Sequence, residues 1–207
     1  MVRLLEILKT GRAQEPRERN DELARDHLNA GLMLMEEGCY TDALKELKQA
    51  IRLKPDYGAA HFNMGLAYDA LGRFDSSINC YNEVISYDPD DIIAYNNLGL
   101  AYSRLGKSAE AVKFFMRALR IQPDYVETYI NLGRAYYNWG GYAEAIKAYE
   151  KAIKIKPDYA EAYYSLGLLY IDLGDEEKMQ MMCQTLESLD PDLRAKLSLA
   201  KHGLTRS

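Results

Sequence analysis

Proline, aspartate and glycine recur in this sequence at one interval of 34 residues. Five of the six prolines keep that interval, and an aspartate follows each of the five. Ten of the fourteen glycines keep it as well, in one series that begins at Gly31 and another that begins at Gly38. The five prolines are Pro55, Pro89, Pro123, Pro157 and Pro191. Self-similarity at a fixed period of about 20–50 residues is typical of repeat architectures, so the chain is predicted to be an array of short repeats.

Residues 92–125 show what one period encodes. The segment from Ile92 to Leu105 has apolar residues three and four apart, which predicts a helix. Gly106 follows it, as expected of a residue that ends a helix at positive φ. Ser108 to Ile121 predicts a second helix, which Pro123 ends because proline has no N–H to donate. Asp124 is expected to cap the next helix. Each period is therefore predicted to be a hairpin of two helices.

The small residues of the period predict how the hairpins pack. Gly99 and Ala111 allow two helices to approach closely, and aromatic residues such as Tyr102 and Phe115 are expected to fill the space between hairpins. A single hairpin cannot bury both of its faces, so each hairpin must stack on the next.

This pattern closely resembles the tetratricopeptide repeat. In the fourth block the matching residues are Tyr129, Leu132, Gly133, Tyr136, Ala145, Tyr149, Ala152 and Pro157. The resemblance covers five blocks within residues 23–193, namely 24–57, 58–91, 92–125, 126–159 and 160–193. It implies an all-α fold, a right-handed α-solenoid superhelix in which the first helix of each repeat lines the concave face.

The segments on either side of the repeats differ in character. Residues 1–22 are predicted to hold a short amphipathic segment, with Leu4, Leu5 and Leu8, followed by a charged linker. Two interpretations stay open: a lightly docked terminus, or a segment that docks in a groove of the same or a neighbouring molecule. Residues 194–207 are predicted to form a C-terminal capping helix, which solenoids need to cover the last apolar face.

Composition restricts the partners and the compartment. The chain has 26 basic and 31 acidic residues, a net charge of −5, which argues against nucleic acid or an anionic membrane as the main partner. Cys39, Cys80 and Cys183 have no spacing typical of disulfide frameworks or zinc sites. The apolar start from Met1 to Leu8 is too short for a signal core or a membrane span. We therefore expect a soluble, cytoplasmic protein without membrane insertion.

No arrangement of residues predicts catalysis. Gly106-Lys107-Ser108 resembles part of a phosphate-binding loop, but Ala101 stands where that motif needs a glycine and no strand precedes it. His27 and His61 lie one period apart, at a position that tyrosines hold in later blocks, so we expect packed rings and not metal ligands. No serine or cysteine matches a histidine and a carboxylate by motif. The sequence predicts no catalytic residue, no metal, no cofactor and no enzymatic activity.

The sixth residue of the first four blocks is asparagine, at Asn29, Asn63, Asn97 and Asn131. The resemblance places these residues in the groove. A carboxamide offers one acceptor and two donors, so it can satisfy both polar groups of a peptide unit. This row resembles the asparagine ladder in the repeats of O-linked N-acetylglucosamine transferase, which holds peptide backbones. The alternative is a row of merely solvated polar residues.

Other residues complete the predicted peptide-binding groove. They are Phe62, Leu66, Asn96, Leu100, Arg104, Ile130, Arg134 and Tyr164. An exposed apolar stripe of this kind usually marks a binding surface. Repeats that clamp the carboxyl terminus of heat-shock chaperones carry lysine and arginine at several places where this chain has Leu28, Leu32, Ile93 and Asn97. The sequence therefore lacks the cationic clamp of that subfamily. The acidic balance and the 34-residue period also argue against the RNA-binding pentatricopeptide proteins.

The sequence therefore predicts a non-catalytic scaffold that binds an extended segment of a partner protein in its concave groove. Two alternatives stay open. One is a homo-oligomer that assembles through the N-terminal segment. The other is the substrate-recognition subunit of a separate enzyme, such as a glycosyltransferase.

Overall fold

The computed structural model describes residues 16–204, and every regular element in that range is an α-helix. The helices are α1 (Pro16–Glu36), α2 (Tyr40–Leu53), α3 (Gly58–Ala70), α4 (Phe74–Tyr87), α5 (Ile92–Arg104), α6 (Ser108–Ile121), α7 (Val126–Trp139), α8 (Tyr142–Ile155), α9 (Ala160–Asp172), α10 (Glu176–Leu189) and α11 (Pro191–Leu204). The all-α helical-repeat fold predicted from the sequence is confirmed. The prediction of a linker was wrong for residues 16–22, which form the start of α1. Residues 1–15, which hold the rest of the predicted N-terminal segment, and residues 205–207 lie outside the described range.

The chain forms two compact units that meet in sequence at Pro89. In the first unit, α1 pairs with α2 and α3 pairs with α4, and α1 also contacts α3. In the second unit the pairs are α5 with α6, α7 with α8 and α9 with α10, while α5 contacts α7 and α7 contacts α9. The last helix, α11, packs on α9 and α10. Within each unit the first helices of successive hairpins are therefore neighbours.

Glycine ends the first helix of each hairpin in a left-handed conformation, as the sequence predicts. The glycines at this position have φ between 70° and 84°. After α5, the Gly106 N–H donates to Ser103 O at 3.0 Å, and the Lys107 N–H donates to Tyr102 O at 3.0 Å. These two bonds satisfy carbonyls that the helix end would otherwise leave without partners. A Cβ on Gly106 would meet nothing within 4 Å, so the requirement is for positive φ and not for space.

The prediction that Asp124 caps α7 was wrong. The residue at the cap position is Tyr125, and no side chain accepts a hydrogen bond there. The Pro-Asp pair forms the turn that precedes the helix, which places the carboxylate one residue too early. Aspartates cap helices where they stand directly before the first turn: Asp91 accepts from Ala94 N at 2.8 Å, and Asp190 accepts from Leu193 N at 2.9 Å.

In the second, third and fourth hairpins, a ring from the second helix lies on the glycine in the middle of the first helix. A Cβ added to Gly99 would stand 2.5 Å from Phe115 Cε1, and Phe115 is fully buried. Phe115 also packs with Leu132 and Ala135 of the next hairpin, as the sequence predicts. The missing side chain of Gly99 is what lets the ring lie inside its own hairpin. In the last hairpin, Leu197 of α11 takes that place against Gly167, where a Cβ would lie 2.5 Å from Leu197 Cδ2.

In the second, fourth and fifth blocks, the fourth residue bonds to the proline near the end of the preceding block. His61 Nε2 donates to Pro55 O at 2.9 Å, and the Tyr163 hydroxyl donates to Pro157 O at 2.9 Å. Tyr129 makes the corresponding bond to the carbonyl of its own preceding proline. His61 is therefore a packed ring, 7% exposed, whose Nδ1 is buried without a partner.

Candidate peptide-binding groove

In the first unit, the predicted asparagines lie on the first helices. Asn29 is exposed on α1. On α3, Asn63 Nδ2 donates to Ala59 O at 2.8 Å, one turn earlier in the same helix. This bond uses one of the two N–H groups and fixes the side-chain rotamer. The second N–H and the carbonyl oxygen of Asn63 stay available to a guest.

The apolar candidates of the first unit are partly used by the scaffold. Phe62 is half-buried, with its ring centroid 5.7 Å from that of Tyr81, and Leu66 is half-buried on the same helix. The Tyr81 hydroxyl donates to Asp69 Oδ2 at 2.7 Å. The pKa of Tyr81 is raised far above its ordinary value, mainly by burial and to a lesser degree by the Asp69 carboxylate. The Asp69 carboxylate therefore binds a core tyrosine, so it is not a free charge in the groove.

In the second unit, the asparagines of α5 and α7 differ in their bonding. Asn97 Nδ2 donates to Ile93 O at 2.9 Å, as Asn63 does in its own helix. Asn131 Nδ2 instead donates to Asn96 Oδ1 at 3.1 Å, across to the neighbouring helix. The same oxygen accepts from Thr128 Oγ1 at 3.1 Å. The sequence placed Asn96 in the groove, but the structure makes it a buried link between α5 and α7.

Ile130 belongs to the core and also lines one of the cavities described below. It is 3% exposed and packs in a cluster with Tyr149. The fifth residue of a block points toward the neighbouring first helix, and for this reason both Asn96 and Ile130 are buried. Tyr164, the fifth residue of the last block, is half-exposed because it lines a cavity.

Three cavities lie along α5, α7 and α9. The arginine cavity, about 250 Å³, is lined by Leu100, Arg104, Phe115, Asn131, Arg134 and Asn138. The acidic cavity, about 580 Å³, is lined by Glu127, Asn131, Arg134, Glu161, Asp190 and Leu193, among others. The tyrosine cavity, about 370 Å³, is lined by Tyr137, Tyr149, Tyr164, Leu168, Asp172 and Ala200, among others, and Arg134 reaches it as well. The structure thus brings together on one surface the predicted residues Leu100, Arg104, Ile130, Asn131, Arg134 and Tyr164. We call this surface the second-unit groove.

Two polar pairs join α7 to α9 across this groove. Arg134 forms an ion pair with Glu161, and the Tyr137 hydroxyl donates to Asp172. The hydrogen bond to the carboxylate, helped by burial, raises the pKa of Tyr137 to about 12. Among the residues that the structure describes, no lysine or arginine forms an ion pair with Asp172. Its charge therefore faces the tyrosine cavity without a basic partner.

Some groove residues were missing from the sequence-based set. Tyr137 and Asn138 hold positions twelve and thirteen of their block, so the period could have identified both. Ala200 had no such signal, because it lies after the last repeat.

The groove supplies amide, guanidinium, carboxylate and phenol groups for hydrogen bonding. Within residues 16–204, no group of three or more histidine, cysteine, aspartate or glutamate side chains is arranged to hold a metal ion. Nor does that range include a helix with the length and apolar character needed to cross a membrane.

Models of the tetratricopeptide repeat match most of the repeat region. One matches residues 90–158, a second, described as TPR repeat, matches residues 31–72 and 70–106, and a third matches residues 148–181. No curated protein matches the sequence significantly.

Solved structures with a similar fold include repeat proteins of low sequence identity. A crystal structure of MamA is 26% identical, with a TM-score of 0.72, and the match covers 80% of this chain and 96% of MamA. YrrB, a TPR protein with an unusual peptide-binding site, is 20% identical, with a TM-score of 0.69 and coverage of 87% and 94%. TTC0263, a thermophilic TPR protein of Thermus thermophilus, is 22% identical, with a TM-score of 0.66 and coverage of 86% and 98%. The repeat motif, the stacked hairpins and these matches agree, and the chain belongs to the tetratricopeptide repeat family.

Proposed function

We propose that this chain is a non-catalytic interaction scaffold that binds an extended segment of a partner protein along the inner helices of its repeats. The observation that carries the proposal is the position of Asn131 and Arg134. Both side chains border the arginine cavity and the acidic cavity, and Arg134 also borders the tyrosine cavity. A guest lying along the second-unit groove would meet both side chains.

The amides suit a guest's main chain. Asn97 is held by a bond to its own helix, and Asn131 by a bond to Asn96, so the rotamers are set before a guest arrives. Pre-organised groups lose less conformational entropy on binding. Neighbouring helices pack about 8–10 Å apart and an extended chain advances about 3.3 Å per residue, so each repeat would span about three guest residues. Each amide–peptide hydrogen bond contributes about 0.5–1.5 kcal/mol net.

The cavities set the side-chain preference of the guest. The tyrosine cavity combines rings with Leu168 and Ala200, which favours an apolar side chain. Its volume of about 370 Å³ lies at the lower end of the range for small ligand sites, about 300–1,000 Å³. YrrB, which shares this fold, has a peptide-binding site, although its low identity extends the comparison only to the fold.

The test changes Asn63, Asn97 and Asn131 together to alanine and measures partner capture from the native host alongside the melting temperature. A matched control changes Asn79 and Asn82, two exposed asparagines on the second helix α4, to alanine. We expect the groove variant to fold and to lose capture, while the control keeps both. Unchanged capture by the folded groove variant would remove the asparagines from the mechanism.

Three narrower expectations stay predictions: the cytoplasmic location, the ladder-type grip on the guest's backbone and the absence of nucleic acid among the partners. A role as the recognition subunit of a separate enzyme, such as a glycosyltransferase, also stays a prediction. Co-purification of a catalytic polypeptide from the native host would support that role.

A further inference from the structure

We propose that residues 1–12 of one copy of this chain bind in the tyrosine and acidic cavities of a second copy. This inference rests on the proposed function, because it uses the same groove, and it names the guest. It makes the protein self-assembling through a segment that lies outside its described residues.

The tyrosine cavity has room for more than one apolar side chain. An engineered apolar cavity of about 150 Å³ holds one benzene ring, so about 370 Å³ admits roughly two side chains of that size. Tyr164 and Leu168 of α9 form one wall, and Ala200 of α11 forms another. All three side chains are half-exposed, so this apolar surface is accessible.

The charge around the two cavities is negative. The acidic cavity has Glu127, Glu161 and Asp190 against a single basic side chain, Arg134, which is already paired with Glu161. Asp172 adds a carboxylate at the tyrosine cavity, where it accepts a hydrogen bond from a neutral phenol. The carboxylates of Glu127 and Glu161, after burial, also raise the pKa of the nearby Tyr159. A guest that brings apolar side chains together with positive charge is therefore favoured.

Residues 1–12 have this composition. They read MVRLLEILKTGR, with three leucines, one valine and one isoleucine. They contain three basic residues and one acidic residue, whereas the remaining 195 residues contain 23 basic and 30 acidic. Leu4 and Leu8 are four residues apart, and Leu5 and Leu8 are three residues apart, so a helical guest would present two or three leucines on one face. Arg3 and Lys9 flank them. The segment is thus complementary to the cavities in both polarity and charge.

The segment and the cavities belong to different units of the chain, so docking between copies requires no particular arrangement of the two units within one molecule. Donor segment and acceptor groove are different surfaces, and a contact between different surfaces is heterologous. Such contacts form rings when the rotation closes and open-ended chains when it does not. Assembly is therefore expected to grow with concentration.

The test uses the full chain in sedimentation velocity over a range of concentrations. We expect concentration-dependent assembly that an excess of a synthetic peptide of residues 1–12 dissociates. Ala200→Trp fills the tyrosine cavity and should weaken assembly about tenfold or more, as expected for a blocked central site. Ala195→Trp, at an exposed position of the same helix, should leave assembly unchanged.

A second pair of variants tests the charge of the acidic cavity. Glu127→Lys should weaken assembly, whereas Glu150→Lys, at an exposed position on α8, should not.

A second variant does not depend on the packing of α11. Leu4→Ser with Leu8→Ser changes only the docking segment and should give a monomer with an unchanged melting temperature. A full chain that is monomeric at every concentration would overturn the inference, and so would an assembly that neither the peptide nor Ala200→Trp affects. If such a chain still captured a host partner through its asparagines, the proposed function would stand and only the identity of this guest would fail.

Discussion

The ring of Tyr149 lies so close to Gly133 that a Cβ on the glycine would stand 2.4 Å from Tyr149 Cε1. We therefore expect Gly133→Ala to destabilise the protein, since overpacking costs about 1–3 kcal/mol. That cost outweighs the ~0.5–1 kcal/mol that alanine gains over glycine inside a helix. Chemical denaturation measures the difference. Gly58→Ala is the matched control, because a Cβ there meets nothing within 4 Å. Equal stability of the two variants would contradict this packing.

Gly106 ends α5 with a φ of 72°, and nothing lies within 4 Å of a Cβ placed on it. Gly106→Ala should lower the free energy of unfolding by about 1–2 kcal/mol, because left-handed backbone is strained for alanine. Gly106→Asn should cost less, since asparagine tolerates this conformation at helix ends. A denaturation series of the three proteins checks this order. Alanine and asparagine variants of equal stability would show that backbone conformation is not the cause.

The buried Asn96 carbonyl accepts hydrogen bonds from Thr128 and Asn131. Asn96→Ala leaves the Thr128 hydroxyl buried without this acceptor, so we expect a loss of about 1–3 kcal/mol in the free energy of unfolding. Asn97→Ala removes only a bond within α5 from a half-exposed side chain, so its effect should stay within about 0.5 kcal/mol. Urea denaturation of both variants tests the contrast, which fails if the two neighbouring substitutions have the same effect.

The hydrogen bond from Tyr137 to Asp172 raises the pKa of Tyr137 from 10.0 to about 12. The folded state therefore keeps this proton at a pH where the unfolded state has released it. The resulting stability is present below pH 10 and is lost as the pH rises toward 12. Asp172→Ala should lower the pKa of Tyr137 and flatten the decline in stability over that interval.

Tyrosine ring resonances in NMR spectra follow this titration, and Tyr137→Phe assigns the signal. A pKa of Tyr137 that is the same with and without the Asp172 carboxylate would exclude the hydrogen bond as the cause of the shift.

The order of the helices could be predicted from the sequence, because helix ends depend on local chemistry. Gly106 and Pro123 bound α6 on either side, and the predicted range Ser108–Ile121 is the observed one. The start of α7 could not be predicted as closely, because a shift of one residue decides whether an aspartate can cap a helix, and the cap position is Tyr125 and not Asp124. The turn at the Pro-Asp pair uses that residue before the helix begins.

The positions of the groove residues could be predicted from the period, but their bonding partners could not. Asn97 and Asn131 hold the same place in their blocks. They differ because α5 presents Asn96 to Asn131, whereas Asn97 bonds within its own helix. The tyrosine cavity was also beyond prediction, because one of its walls is Ala200 in a helix that follows the last repeat.

In the second, fourth and fifth blocks, the bond from the fourth residue to the preceding proline carbonyl limits how these hairpins can be recombined. His61 and Tyr163 both make this bond, because the imidazole Nε2–H and the phenol O–H each reach the carbonyl. A transplanted hairpin with phenylalanine at this place would pack, but it could not donate a hydrogen bond to the preceding proline carbonyl. Histidine and tyrosine are thus interchangeable at the junction, and an engineer who reorders or duplicates these modules should keep one or the other there.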